Sequence, residues 1–221
     1  MLTNQLGPRL SLVAKISKKF LKGSGTFVDM CCDHGQLGME ILRSDEIKVY
    51  FVDPISSIIK KLESKIDERH KERATCLTLK GQEFTFSEIC PVIAICGVGG
   101  ELIKEIVEKI IINNKQAKPI FILAPQNRPV ELRASLSGLG FNGGEYILVE
   151  DNKKHYEVMT VSKDFKEPLS LIGKPAFNLN SSRDFSYLRK KREHYYLKTR
   201  KYPSFKSIVA EYDALLGEFR I

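Results

Sequence analysis

Residues 26–38, Thr-Phe-Val-Asp-Met-Cys-Cys-Asp-His-Gly-Gln-Leu-Gly, constrain the fold more than any other stretch of this chain. Thr26 to Cys32 is β-branched and apolar enough for a buried strand, interrupted only by Asp29 near its carboxyl end. Gly35 and Gly38 then open a helical run from Gln36 to Arg43. A strand entering a glycine-bearing turn and then a helix is the first βα unit of a ligand-binding parallel sheet. Unpaired N–H groups at the helix start and bare glycine backbone both favour a bound ligand there.

The spacing narrows the ligand. A dinucleotide fold wants G-x-G-x-x-G at this turn, which the chain lacks. Instead, Asp29-x-Cys31-x-Asp33-x-Gly35 sets an acid on the strand and three positions at intervals of two. This is similar to the acidic-x-Gly-x-Gly-x-Gly loop of S-adenosylmethionine (SAM) methyltransferases with two glycines replaced. A carboxylate such as Asp29 suits the ammonium of an amino-acid ligand, where a diphosphate would be repelled. The bare pattern also fits a plain βα turn around a buried aspartate.

Downstream, strands and helices alternate. A helix is expected over 8–22, with Pro8 in its first turn. Strand two, Ile47 to Val52, closes at Asp53-Pro54 and leads into a helix over 55–70. Ala74–Leu79 and Val92–Cys96 are strands three and four, with Gly97-Val-Gly-Gly100 and a helix from Glu101 to Ile112 after the latter. Strand five, Pro119 to Ala124, passes through Pro125-Gln-Asn-Arg-Pro129 into a helix ending near Leu139. Gly138, Gly140, Gly143 and Gly144 mark a loop, and Glu145–Val149 with Tyr156–Val161 read as an antiparallel hairpin. The fold class is therefore α/β: a parallel sheet with helices on both faces and an antiparallel terminal hairpin. Binding belongs at the carboxyl ends of the strands, in loops 31–38, 53–54, 80–84, 96–100 and 125–128.

The net charge of +8 is concentrated: residues 183–206 hold nine Lys and Arg against Asp184 and Glu193, a local +7. Such a basic tail on a nearly neutral body points to a polyanionic partner, most simply nucleic acid, although a solvated helix face has the same composition. Residues 1–162 are read as the catalytic domain, 163–182 as a linker, and 183–221 as a basic helical hairpin broken at Pro203. Phe205, Ile208, Val209, Tyr212, Leu215, Leu216 and Phe219 form an apolar stripe in the second helix. That stripe fits either an intrachain hairpin or a dimerising coiled coil, so a monomer or weak dimer is expected. Five scattered cysteines without metal spacing read as reduced thiols; with no membrane-length apolar run, a cytoplasmic location is expected.

Taken together, these motifs resemble the bacterial tRNA (adenine-22-N1) methyltransferases, a Rossmann-like class I methyltransferase domain followed by a small helical domain. The resemblance runs over about residues 6–162. It rests on Leu6-Gly-Pro-Arg9-Leu10, Asp29-Met-Cys-Cys-Asp33-His34, Ile95-Cys-Gly97-Val-Gly99-Gly100-Glu-Leu102-Ile103, Gln126-Asn127, and Glu150 with Tyr156-Glu157. Cys31 stands at a family glycine, Gln36 at a family aromatic, and Gln82 where the family has Asp between two glycines.

The resemblance implies a SAM-dependent enzyme that methylates N1 of a tRNA adenine. It implies cofactor contacts from Asp29, Cys31, Asp33, Gly35, Asp53, Gly81, Gln82, Gly97, Gly99 and Gly100. His34 and Asn127 are the expected base contacts. Arg9 and Arg128, with Arg189, Lys190, Lys191 and Arg192 of the tail, are expected to hold tRNA phosphates. No metal is expected. The departures at Cys31 and Gln36 leave a second reading, an RNA-binding protein of this fold with weak or lost catalysis. A SAM enzyme acting on a substrate other than tRNA is a third.

Overall fold

The computed structural model describes residues 6–44, 46–86 and 91–219. Cys90, one of the five expected thiols, lies outside them; Cys31, Cys32, Cys76 and Cys96 are free.

Helix α1 (Pro8–Leu21) precedes β1 (Ser24–Met30), and α2 (Gln36–Leu42), β2 (Glu46–Asp53), α3 (Ser56–Glu63) and β3 (Ala74–Thr78) complete one half of the sheet. The other half is β4 (Val92–Cys96), α4 (Gly100–Asn113), β5 (Ile120–Ala124), α5 (Pro129–Gly138), β6 (Asn142–Asp151) and β7 (Lys154–Ser162). A two-residue β8 (Glu167–Pro168) pairs with β6 at the sheet's edge. The strand order is β3-β2-β1-β4-β5-β7-β6-β8. Pairings among the first five are parallel, and β7 runs antiparallel between β5 and β6. The chain leaves β1 toward β2 on one side and returns to β4 on the other, so the carboxyl ends of β1 and β4 flank the switch point where such sheets bind ligands. One apolar cluster, including Phe27, Val49, Phe51 and Ile122, packs with α1, α2 and α3; a second, including Ile93, Ile95 and Phe121, packs with α4 and α5.

The chain leaves β1 at Met30 rather than Cys32, because Cys31 turns into the left-handed region at φ 58°. The helix expected over 55–70 stops at Glu63. Asp67 accepts the Arg69 N–H at 3.3 Å and starts a separate 3-10 turn over Glu68–Arg73, the local side-chain bonding with which Asp competes against a continuous helix. Gly143 and Gly144, expected in a loop, lie in β6, where the register with β7 shifts between Gly143 and Tyr146. Glycine accommodates the bulge there, and the Glu145 N–H is taken by the Thr160 hydroxyl at 2.7 Å instead of the ladder.

The 163–182 segment, expected as a linker, carries structure of its own: β8, a 3-10 turn over Lys174–Ala176, and buried Leu169, Ile172 and Phe177. Helices α6 (Ser182–Thr199) and α7 (Lys206–Gly217) follow. Ser181 caps α6 by accepting the Asp184 N–H at 3.2 Å, and the buried Asp184 carboxylate accepts the Asn178 N–H at 2.9 Å. The α7 stripe is consumed within the chain: Ile208, Val209, Tyr212 and Leu215 are buried with Leu188 and Tyr195 of α6, Val130 of α5 and Leu148 of β6. At about 1.5–3 kcal/mol for each large apolar side chain buried, this third cluster holds the hairpin against the sheet domain.

Candidate active site and basic cleft

Asp29 and Asp53 organise the carboxyl edge. Asp29 is buried, and its Oδ2 accepts the Gly38 N–H at 2.8 Å, tying β1 to the first turn of α2. A carboxylate suits the positive end of a helix. Burial nevertheless outweighs that bond and, with Asp53 and Asp33 nearby, raises the Asp29 pKa to about 7. Asp53 ends β2; its Oδ2 accepts the Asp33 N–H at 3.2 Å and its Oδ1 the Ile55 N–H at 3.0 Å. Each carboxylate oxygen has a second lone pair, so Asp53 can also accept from the hydroxyls of a ribose.

The loop between them is unusual. Cys31, Asp33 and Gly35 all have positive φ, at 58°, 48° and 66°. Two of these three positions carry side chains where glycine is the low-cost choice. The Cys31 thiol is pushed up to about 11 by burial, then by Asp53 and Asp29, so it stays protonated and is no nucleophile at neutral pH. Asp33 and His34 are exposed, with His34 Nε2 at 3.8 Å from Asp33 Oδ1.

Glycines form the remaining rim. Gly81 packs between Met30 and Ile106, with no room for a side chain. The neighbouring Gln82 amide turns toward α4 and donates to Glu105 at 3.4 Å. Gly97 (φ 79°) has open space where a side chain would stand, which leaves the end of β4 approachable. Gly99 and Gly100 press against the next loop. The Gly100 N–H donates to the Asn127 carbonyl at 3.3 Å and the Gln126 N–H to the Val98 carbonyl at 2.9 Å, so the loops after β4 and β5 are zipped together with the Asn127 side chain exposed.

Beside Asn127 opens a cleft of about 900 Å³ between the 126–129 loop, the start of β7 and one face of α6. Its cations are Arg128, Lys154, Lys190, Lys191 and Lys198, joined by His155 and His194, and no carboxylate lines it. On α6, Tyr187, Lys190, Lys191, His194 and Lys198 follow i, i+3, i+4, i+7 and i+11, which places them along one helix face. Burial, with Lys198 and Lys191, lowers the His194 pKa. Lys198 and the Tyr195 hydroxyl both bond Glu131 on α5, at 2.7 and 2.8 Å, and their hydrogen bonds hold Glu131 below its usual range although burial works the other way.

The expected phosphate contacts are dispersed. Lys190 and Lys191 face the cleft, and Arg128 stands at its mouth with Nη1 at 3.6 Å from Glu101. Arg189 lies in an outer groove with Phe185, Glu193 and Asp213. Arg192 is committed to a two-pronged pair with Asp213, at 2.9 and 3.2 Å, which braces α6 on α7. Arg9 lies over the Tyr156 ring, 4.5 Å from its centroid. The sequence reading missed Lys154, Tyr156, Tyr187, His194 and Lys198 as cleft residues. The i, i+4 recurrence of cations and rings on α6 is the available signal; Tyr156 stands in the Tyr156-Glu157 motif of the hairpin, which carries no sign of a cleft, and nothing local marks Lys154.

Comparison with known proteins now supplies the class. A family described as "Methyltransferase domain" matches residues 6–159, and this chain belongs to it. Comparison with curated proteins yields no match. Among solved structures, M. capricolum TrmK, in complex with S-adenosylhomocysteine (SAH), superposes with a TM-score of 0.74 at 16% identity, over 96% of this chain and 98% of that one. The B. subtilis m1A22 tRNA methyltransferase TrmK gives 0.68 at 14% identity, over 97% of each chain. Magnesium protoporphyrin IX methyltransferase from Synechocystis, with SAM bound, gives 0.56 at 12% identity over 71% of this chain and 78% of that one. The first two share the whole architecture, C-terminal helices included; at such identities the likeness is one of fold.

Proposed function

We propose that this protein is a SAM-dependent methyltransferase that modifies N1 of an adenine in tRNA, with adenine 22 as the target position. The observation that carries the reading is the cleft of about 900 Å³, lined by five Lys or Arg and no carboxylate, directly beside Asn127 and the zipped glycine loops. A small neutral substrate needs no such field, whereas a phosphate backbone does. The two TrmK structures named above, one described as an m1A22 tRNA methyltransferase, match 96% and 97% of this chain, whereas the porphyrin methyltransferase matches 71%.

The rim fits the cofactor. Asp53 offers acceptors for ribose hydroxyls, the Gly97 backbone leaves open space, the exposed Asp33 carboxylate suits the ammonium of the amino-acid end, and the buried Asp29 holds the loop through the Gly38 N–H. When bound, SAM supplies an electrophilic methyl on its sulfonium. Adenine N1 has a free lone pair once unpaired, so the protein's contribution is orientation and exclusion of water rather than proton removal. N1 lies on the Watson–Crick edge, so the base must be turned out of its pair. In this reading the exposed Asn127 amide and His34 hydrogen-bond that edge, and the cleft cations hold the flanking phosphates.

One observation favours the second reading. Cys31 carries a side chain at φ 58° in the loop that must meet the cofactor. Calorimetric titration with SAM and SAH decides between them. Micromolar binding supports the enzyme; no binding by the folded protein, with affinity gained in Cys31→Gly, supports an RNA-binding protein that has lost catalysis.

A further inference from the structure

An unpaired base held in an RNA cleft needs a flat apolar surface as well as hydrogen bonds, because stacking supplies much of the affinity for a single-stranded nucleotide. The loops over the carboxyl edge, 31–38, 53–54, 80–84, 96–100 and 125–128, contain a single Phe, Tyr or Trp ring, that of Phe84, which is buried against Tyr50 and Phe86. The rings must therefore come from the cleft wall, which offers three: Tyr156, Tyr187 and Tyr195.

Two of these are already engaged. Tyr195 is buried, stacked on Tyr212 at 5.9 Å and packed on Phe205 at 5.3 Å, with its hydroxyl on Glu131. Tyr187 donates its hydroxyl to Glu157 at 2.7 Å, and its ring meets Phe177, His155 and the Lys191 ammonium. Tyr156 differs. It is half-buried, and its one ring contact among the described residues is the Arg9 guanidinium at 4.5 Å. Arg9 is itself spent on that contact, since its buried Nε and Nη1 have no hydrogen-bond partner among the described residues. A ring backed by a fixed cation on one face is a rigid platform, and Tyr156 lines the cleft. The β5–β7 register also favours the placement. Leu123 pairs with Met159, and continuing that antiparallel register carries Tyr156 alongside the loop that bears Asn127.

We propose that Tyr156 is the stacking platform for the target base, with Arg9 as its positioning residue rather than a phosphate contact. The inference rests on the RNA-methylating reading and assigns the base-holding group within that site.

The test uses the full chain and a tRNA transcript carrying 2-aminopurine at the target adenine, whose fluorescence is quenched when the base stacks. Wild type and Tyr156→Phe are expected to quench it on binding. Tyr156→Leu, which fills space without a ring, is expected to lose the quench and weaken tRNA binding on the order of 10- to 100-fold, while its SAH affinity and salt dependence stay those of wild type. Unchanged SAH affinity shows that the variant is folded. A Tyr156→Leu protein that binds, quenches and methylates like wild type overturns the platform and leaves the proposed function standing. A wild-type protein that binds SAH and no tRNA overturns both.

Discussion

Arg133 of α5 and Glu157 of β7 are both buried and pair through Nη1 and Oε2 at the seam between the sheet and the helical hairpin. Their remaining atoms reach across it: Glu157 Oε1 accepts the Tyr187 hydroxyl at 2.7 Å, and Arg133 Nε donates to the Leu171 carbonyl at 2.7 Å. Helices α5 and α6 and strand β7 thus meet at one charge pair. Glu157→Ala leaves a buried guanidinium without its counter-charge, so it should cost about 3–5 kcal/mol in urea unfolding. Glu157→Leu combined with Arg133→Met should recover most of that. A single variant as stable as wild type would show that the pair does not hold the seam.

The zipped loops make a sharper local prediction. A Cβ at Gly100 would stand 2.9 Å from the Asn127 carbonyl oxygen and 3.0 Å from that of Arg128, both backbone atoms that cannot swing aside. Gly100→Ala should lose about 1–3 kcal/mol of stability, and methyl transfer should fall because the Asn127 loop is displaced. Gly138→Ala, with open space around it, is the control and should be neutral or slightly stabilising. Equal behaviour of the two variants would contradict the packing described here.

Asp29 predicts a pH dependence of the less common sign. Its folded pKa lies near 7 against an ordinary 3.8, so between those values the folded state holds more protons than the unfolded state. Its contribution to stability is complete below the ordinary value and is lost as pH rises through about 7. Wild type should therefore lose stability relative to Asp29→Asn across that window, by up to about 1.4 kcal/mol for each unit of pH. Parallel stability curves for the two proteins would mean that Asp29 is ionised normally in the fold.

Much of this was legible in the sequence, for identifiable reasons. The βα units announce themselves through short apolar runs that end in Asp53-Pro54 or Gly97-Val-Gly-Gly100, because strand, turn and helix chemistry is local. The edge hairpin and the helical tail were legible in the same way, from two short apolar runs and from the break at Pro203. Asp29 and Asp53 could be placed at strand ends from the chain alone, but not the hydrogen bonds by which they fasten the 31–38 loop. The cleft was out of reach because it joins Asn127, Tyr156 and Lys191, which are distant in sequence and come together only when α6 docks on the sheet edge. The same docking explains Arg192: its charge was plain, and its commitment to Asp213 depends on how two helices pack.

That difference among the tail cations can be read in salt dependence. Lys190→Gln with Lys191→Gln removes two cleft charges, and the slope of log affinity for tRNA against log salt should fall by about 1.5–2. Arg192→Gln should change the slope much less, because its charge already faces Asp213. Equal slopes in all three proteins would move the RNA away from this face of α6.

The central claim is tested most directly by transfer of labelled methyl from SAM into tRNA lacking N1-methyladenine, with the product nucleoside identified by mass spectrometry. The account predicts about one methyl per tRNA, recovered as N1-methyladenosine, and strongly reduced transfer in Asp53→Ala and Asn127→Ala. A protein that binds SAM yet transfers no methyl to tRNA, or methylates a different atom, would contradict it.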